Sequence, residues 1–210
     1  MDLVVGIVQA YAEKTSWELV AVFLALAYLL LAMKESIWCW PAALVSTAIY
    51  TCLFWHVSLV MDSVLNVYYM LMAVYGFYVW FYPQKNKNAH IHRWPWTLHI
   101  AVIVSVVAVS LVSGYILQRN TEAAWPYLDS FTTWASVVTT FMVARKVLEN
   151  WLYWIVIDSV ALLLYIERGL YPTAALFVLY IILCVFGWLK WKKKCETLTG
   201  DEVSKIASPA

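Results

Sequence analysis

Apolar residues run along this chain in seven blocks, each ended by a short polar or turn-forming stretch. The blocks cover roughly 17–33, 37–54, 57–82, 96–117, 128–144, 150–166 and 171–191, and the interruptions read KES, WHVS, PQKNKNAHIHRWP, QRNTEAAWPYLD, RKVLEN and ERGLYP. Several blocks approach the ~20 residues that an α-helix needs to cross a bilayer, and the shorter ones can just manage it. Nothing alternates with period two over ten residues, as the strands of a membrane barrel would. The pattern predicts an all-α integral membrane protein with seven transmembrane helices.

Composition strengthens that reading. Of 210 residues, 64% are hydrophobic and 13% charged, where a soluble domain carries about a quarter charged residues. The net charge of +1 offers no basic face for nucleic acid. Cys39, Cys52, Cys184 and Cys195 stand far apart with no CxxC, so neither a disulfide framework nor a metal site is expected. Walker A, HExxH and GxSxG motifs are absent, so we expect neither an enzyme nor a cofactor. The start, MDLVVGIVQAYAEKTSWE, has no basic n-region or small-residue cleavage site, and no cleaved leader is expected.

Seven spans place the termini on opposite sides. Lys14, Arg119 and Arg168 fall on the N-terminal side, and the other eleven Lys and Arg on the C-terminal side. The positive-inside rule then predicts the N-terminus outside and the C-terminus in the cytoplasm. Aromatics crowd the block ends at Trp17, Trp38, Trp40, Trp80, Tyr82, Trp94, Trp96, Trp125, Trp188 and Trp191, the pattern of an interfacial belt. The lysines at 192–194 are expected to anchor the last span, with a loose polar tail over 192–210.

The chain also repeats. Shifted by 111 residues without gaps, it superposes Trp40 on Trp151, Tyr69 on Tyr180, Gly76 on Gly187 and Trp80 on Trp191. We read one membrane domain with repeat one over about 17–82, a linker helix over about 96–117 and repeat two over about 128–191. Corresponding spans are four apart and cross in the same direction. This 3+1+3 plan of two parallel three-helix repeats is that of SWEET-type sugar carriers, and it suits a transporter.

Polar groups inside spans are costly and normally face the bundle interior or a cavity. Asp62, Asn66, Tyr69, Ala73, Gly76 and Trp80 step by 4, 3, 4, 3 and 4, which holds one helix face. A second stripe is Asp129, Thr132, Thr133, Ser136, Thr139 and Thr140, with Trp134 beside it, and a third is Asn150, Trp151, Trp154, Asp158 and Tyr165. Span 2 adds Ser46, Thr47, Tyr50 and Thr51. The candidate substrate-binding set is Asp62, Asn66, Tyr69, Thr47, Tyr50, Trp134, Ser136, Asn150, Trp151, Trp154, Asp158 and Tyr165. Two blander readings stand beside it: the hydroxyls can bond their own helix carbonyls, and Asp129 can cap the fifth helix. Carboxylates and amides beside Trp and Tyr faces suit a small, flat, polar solute, a cation included. His90 and His92 read as solvated loop residues, and neither His56 nor His99 has an evident partner.

RKVLENWLYWIVID (Arg145–Asp158) followed by GLYPTAALF, together with VSLVMDSVLNVYYMLMAVYGFYVW (Val57–Trp80), resembles the PnuC family of vitamin transporters over nearly the whole chain. The resemblance implies a multi-pass facilitator of the bacterial inner membrane and a homo-oligomer, in form a trimer. It also implies uniport of an unphosphorylated B-vitamin precursor, trapped afterwards by a cytoplasmic kinase, and a site at mid-membrane depth. Nicotinamide riboside carriers of this kind show LQ where this chain has Leu65-Asn66, and an NYxxGxxN run where it has CWPAALVST (Cys39–Thr47). Those departures move the expectation slightly toward thiamine, ahead of nicotinamide riboside. The rival readings are a SWEET-like carrier of a neutral sugar and a substrate-binding receptor or importer subunit.

Overall fold

A computed structural model describes residues 2–56, 60–82, 90–120, 125–167 and 171–207. All seven predicted helices are present: α1 (Asp2–Met33), α2 (Cys39–His56), α3 (Val60–Phe81), α4 (Trp96–Asn120), α5 (Pro126–Ala144), α6 (Asn150–Glu167) and α7 (Tyr171–Ala207). Four of them contain stretches long and apolar enough to cross a bilayer, in α3, α4, α6 and α7, and shorter apolar stretches lie at Leu19–Met33 and Cys39–Leu53. The hydroxyls of Thr132, Thr133, Ser136, Thr139 and Thr140 lower the hydropathy of α5. The region expected to be a loose tail continues α7 as far as Ala207. Helix-forming Lys and Glu follow the span there, with no proline before position 209.

The helices fall into two units, Met1–Phe81 and Tyr82–Ala210. In the first, α2 packs against both α1 and α3, and Ser46 Oγ donates to the Ala21 carbonyl at 2.8 Å. In the second, α4 packs on α5, α5 on α6 and α6 on α7. The large side chains of α4 point outward, among them Ile100, Val104, Leu111 and Ile116, while His99, Val106, Ser110 and Gly114 are its buried residues. Apolar outside and small or polar inside is the reverse of a water-soluble helix, and it fits a helix whose solvent is lipid.

The α1–α2 and α5–α6 turns are built alike. Glu35 and Lys146 sit 111 apart, and both adopt positive φ, 52° and 55°. Around Glu35, the Ser36 N–H donates to the Leu31 carbonyl at 3.0 Å and the Glu35 N–H to the Ala32 carbonyl at 2.9 Å. Around Lys146, the Val147 N–H donates to Met142 at 2.9 Å and the Lys146 N–H to Val143 at 3.0 Å. Each is a Schellman cap, which satisfies carbonyls that a helix end leaves open. Glycine normally fills the left-handed position, so its absence hid the cap from the sequence.

The same correspondence holds in the packing. Trp40 and Trp80 meet edge-on with centroids 5.4 Å apart at 85°, and Trp151 and Trp191 do so at 5.3 Å and 88°. Gly76 lies under the Trp40 ring and Gly187 under the Trp151 ring, where a Cβ would overlap the indole in each case. Trp40, Trp80 and Trp191 therefore leave the expected interfacial belt. They are only 1%, 9% and 1% exposed and fasten helices together. Trp17, Trp38, Trp96 and Trp125 are exposed, as belt residues would be.

Candidate functional site

The α3 stripe faces inward as its spacing predicts. Asn66, Ala73, Gly76 and Trp80 are buried, and Tyr69 is half-buried with its ring 5.9 Å from that of Tyr68. The side chain of Asp62 lies outside the described residues. Asn66 occupies the position that Phe177 occupies 111 residues later. Phe177 packs tilted at 30° against Tyr165 with centroids 5.0 Å apart, and meets Tyr180 edge-on at 5.6 Å. One unit thus carries an aromatic trio between α6 and α7, and the other places a buried amide at the matching point. The half-buried Tyr50 lies one turn beyond Thr47 on α2. The Thr47 hydroxyl donates to the Ala43 carbonyl at 2.8 Å, and the Thr51 hydroxyl to the Thr47 carbonyl at 2.7 Å.

On α5 the hydroxyls serve their own helix. Thr132 and Thr133 donate to the Asp129 carbonyl, Thr139 to Ala135 and Thr140 to Ser136. Ser136 is buried, whereas Trp134 is largely exposed and donates from Nε1 to Ser113 Oγ on α4 at 3.0 Å. Asp129 does not cap α5. The helix begins at Pro126, so Asp129 lies in its first turn, and the cap residue Trp125 makes no side-chain cap bond. Proline at the first helical position has a preset φ and no N–H to satisfy, which starts the helix before the aspartate.

The α6 residues share a face but not one place. From Asn150 to Tyr165 is about 22 Å at 1.5 Å per residue. Asn150 is fully buried at the turn, where Nδ2 donates to the Val147 carbonyl at 2.6 Å and Oδ1 meets no donor among the described residues. Trp151 is held against Gly187 and Trp191. The half-buried Trp154 packs on Val106, Ala135 and Ile157. Asp158, 5% exposed, accepts from Cys184 Sγ at 3.8 Å across to α7. A buried carboxylate among apolar helices, with one weak donor on it, is costly unless it is used. The sequence does not mark Cys184 as a partner of Asp158, because a lone cysteine in an apolar helix carries no pattern.

A second polar cluster joins the head of α4 to α6. His99 Nδ1 and the Tyr153 hydroxyl are hydrogen-bonded at 2.9 Å, and His99 Nε2 stands 3.7 Å from Glu149 Oε2. The Trp94 N–H donates to the same Glu149 oxygen at 3.4 Å. His92 is not a free loop residue. Its N–H donates to the Lys146 carbonyl at 3.2 Å and its carbonyl accepts from the Leu148 N–H at 2.8 Å, which forms a bridge. These partners lie about 50 residues apart in sequence, beyond the reach of periodicity. Beside the cluster is a cavity of about 690 Å³ that none of the twelve predicted site residues lines. Among the described residues, no group of three His, Cys, Asp or Glu side chains is placed to hold a metal ion.

Residues 15–193 match the family described as nicotinamide mononucleotide transporter. The chain is 22% identical to the nicotinamide riboside transporter PnuC of Escherichia coli (strain K12), over 84% of this chain and 85% of that one. It is also 22% identical to the riboflavin/roseoflavin transporter RibM of Streptomyces davaonensis, over 83% of each. The crystal structure of the vitamin B3 transporter PnuC has the same fold, with a TM-score of 0.72 at 20% identity, covering 91% of this chain and 87% of that one.

Proposed function

We propose, for a chain that belongs to the nicotinamide mononucleotide transporter family and is a multi-pass protein of the bacterial inner membrane, that it carries a flat, unphosphorylated vitamin precursor into the cell by facilitated diffusion. The observation that carries the reading is the match of residues 15–193 to a transporter family, joined to buried polar groups at membrane depth on α3 and α6. Asn66 is our leading residue for reading the substrate. It supplies both a donor and acceptors where the matching position of the second repeat supplies only a phenyl ring. Asp158 on α6 is the counter-charge for a cationic ring, with Trp154 one turn away as a stacking face; Tyr69 and Tyr165 are the further aromatic candidates. Asp62, Thr47, Tyr50, Trp134, Ser136, Asn150 and Trp151 complete the set from which contacts would be drawn.

The departures at Leu65-Asn66 and Cys39–Thr47 favour thiamine, whose aminopyrimidine a short amide can read edge-on. Nicotinamide riboside is the second reading, favoured by the substrate named for the Escherichia coli relative. The positive-inside count supports an outside N-terminus and a cytoplasmic C-terminus, and the repeated turns and tryptophan corners support a 3+1+3 plan of parallel repeats, as in SWEET-type carriers. Uniport by alternating access needs no coupled ion if a cytoplasmic kinase phosphorylates the arriving vitamin and keeps the inward gradient. We retain a homo-oligomer as the assembly. A binding screen of the purified protein against thiamine, nicotinamide riboside, riboflavin and nucleosides tests the substrate. Thiamine should stabilise it most, and stabilisation by a neutral sugar alone would sink the vitamin assignment.

A further inference from the structure

We propose that the cavity beside α4 is a binding groove for one anionic phospholipid, with an acyl chain in the groove and the headgroup phosphate on Arg93. The cavity lies entirely within the second unit, lined from α4, α5, α6 and α7, with the buried Val106, Ala135 and Ile157 as its floor and the exposed Ile103, Val107, Leu152 and Val156 as open aliphatic walls. The polar groups of its lining largely face one another, although the buried Nε2 of His99 has no hydrogen-bond partner among the described residues. His99 is bonded to Tyr153, and Glu149 takes the Trp94 N–H and faces His99. A hydrophilic vitamin entering here would give up its bonds to water and meet a lining that is mostly apolar, aliphatic and aromatic together. An acyl chain gives up nothing.

The mouth has the opposite character. Arg93 is exposed there, beside Trp94 and the 79% exposed Trp96. Among the described residues no carboxylate pairs with Arg93. The bridge between His92 and Val147 brings the basic turn that holds Arg145 and Lys146 to the same end of the groove. Exposed tryptophan beside clustered cations is the chemistry of a headgroup region, and basic pockets between membrane helices select anionic lipids. The dimensions agree. From Trp96 to Val107 is about 16 Å along α4, close to one leaflet of a hydrocarbon core ~30 Å thick.

The test is native mass spectrometry of the purified protein with phosphatidylglycerol and phosphatidylcholine of identical acyl chains. Wild type should retain phosphatidylglycerol about fivefold over phosphatidylcholine, the scale of one basic contact. Arg93→Ala should equalise the two, Arg93→Lys should keep the preference, and Val107→Trp should fill the groove and lose both. Excess inorganic phosphate should leave the lipid in place. No preference in wild type overturns the proposal even if a variant misfolds. It is also overturned if both Arg93→Ala and Val107→Trp hold the lipid as wild type does, if free phosphate displaces the lipid, or if Val107→Trp changes the oligomeric state while lipid stays bound, since that would mean a second copy covers the groove.

Discussion

The indole of Trp151 meets that of Trp191 edge-on, with centroids 5.3 Å apart at 88°, and α7 comes this close because position 187 has no side chain. Gly187→Val should therefore cost about 1–3 kcal/mol by overpacking, read as a lower melting temperature of the detergent-purified protein. Trp151→Ala in the same chain should return part of the loss. An unchanged melting temperature in Gly187→Val would show that the corner is not tight.

Lys146 holds a left-handed conformation at φ 55° without being glycine. Lys146→Gly should raise stability by up to about 1 kcal/mol, and Lys146→Val should lower it by about 1 kcal/mol or more, because a β-branched residue is poorly accommodated there. Thermal denaturation of the two variants side by side checks the ordering. The reverse order would contradict the Schellman geometry.

Tyr153→Phe removes the hydroxyl bonded to His99 and leaves that buried ring with one partner fewer. Net loss of such a bond is worth about 0.5–1.5 kcal/mol. The expected readout is earlier thermal unfolding with substrate selectivity unchanged, since the hydroxyl is already taken by His99. A changed selectivity would give the cluster a substrate role instead.

Asp158→Asn keeps an acceptor for Cys184 and removes the charge. The protein should elute and melt close to wild type, while uptake of a cationic vitamin falls by about tenfold, the effect of about 1.4 kcal/mol. Full uptake by this variant would reduce Asp158 to a structural partner of Cys184.

How much of this was legible in the sequence depends on the range of the interaction. The seven helices followed from block lengths, and the α3 stripe followed from a 4-3 spacing, because both are local. The 111-residue shift aligned Trp40 and Gly76 with Trp151 and Gly187, and the structure gives both pairs the same contact. The sequence could not tell a belt tryptophan from a corner tryptophan, since Trp80 and Trp96 both stand at span ends and only packing separates them. The caps at Glu35 and Lys146 were hidden because neither uses glycine. Glu149 was visible only as part of a family-like run, and its ties to Trp94 and His99 cross half a repeat of sequence.

The central claim is tested most directly by uptake of labelled thiamine and nicotinamide riboside into proteoliposomes with no ion gradient. The account expects saturable flux down the vitamin gradient, thiamine the faster, and a strong loss with Asn66→Phe, which installs the residue of the second repeat. No flux of either vitamin, or flux only under a sodium or proton gradient, would contradict it.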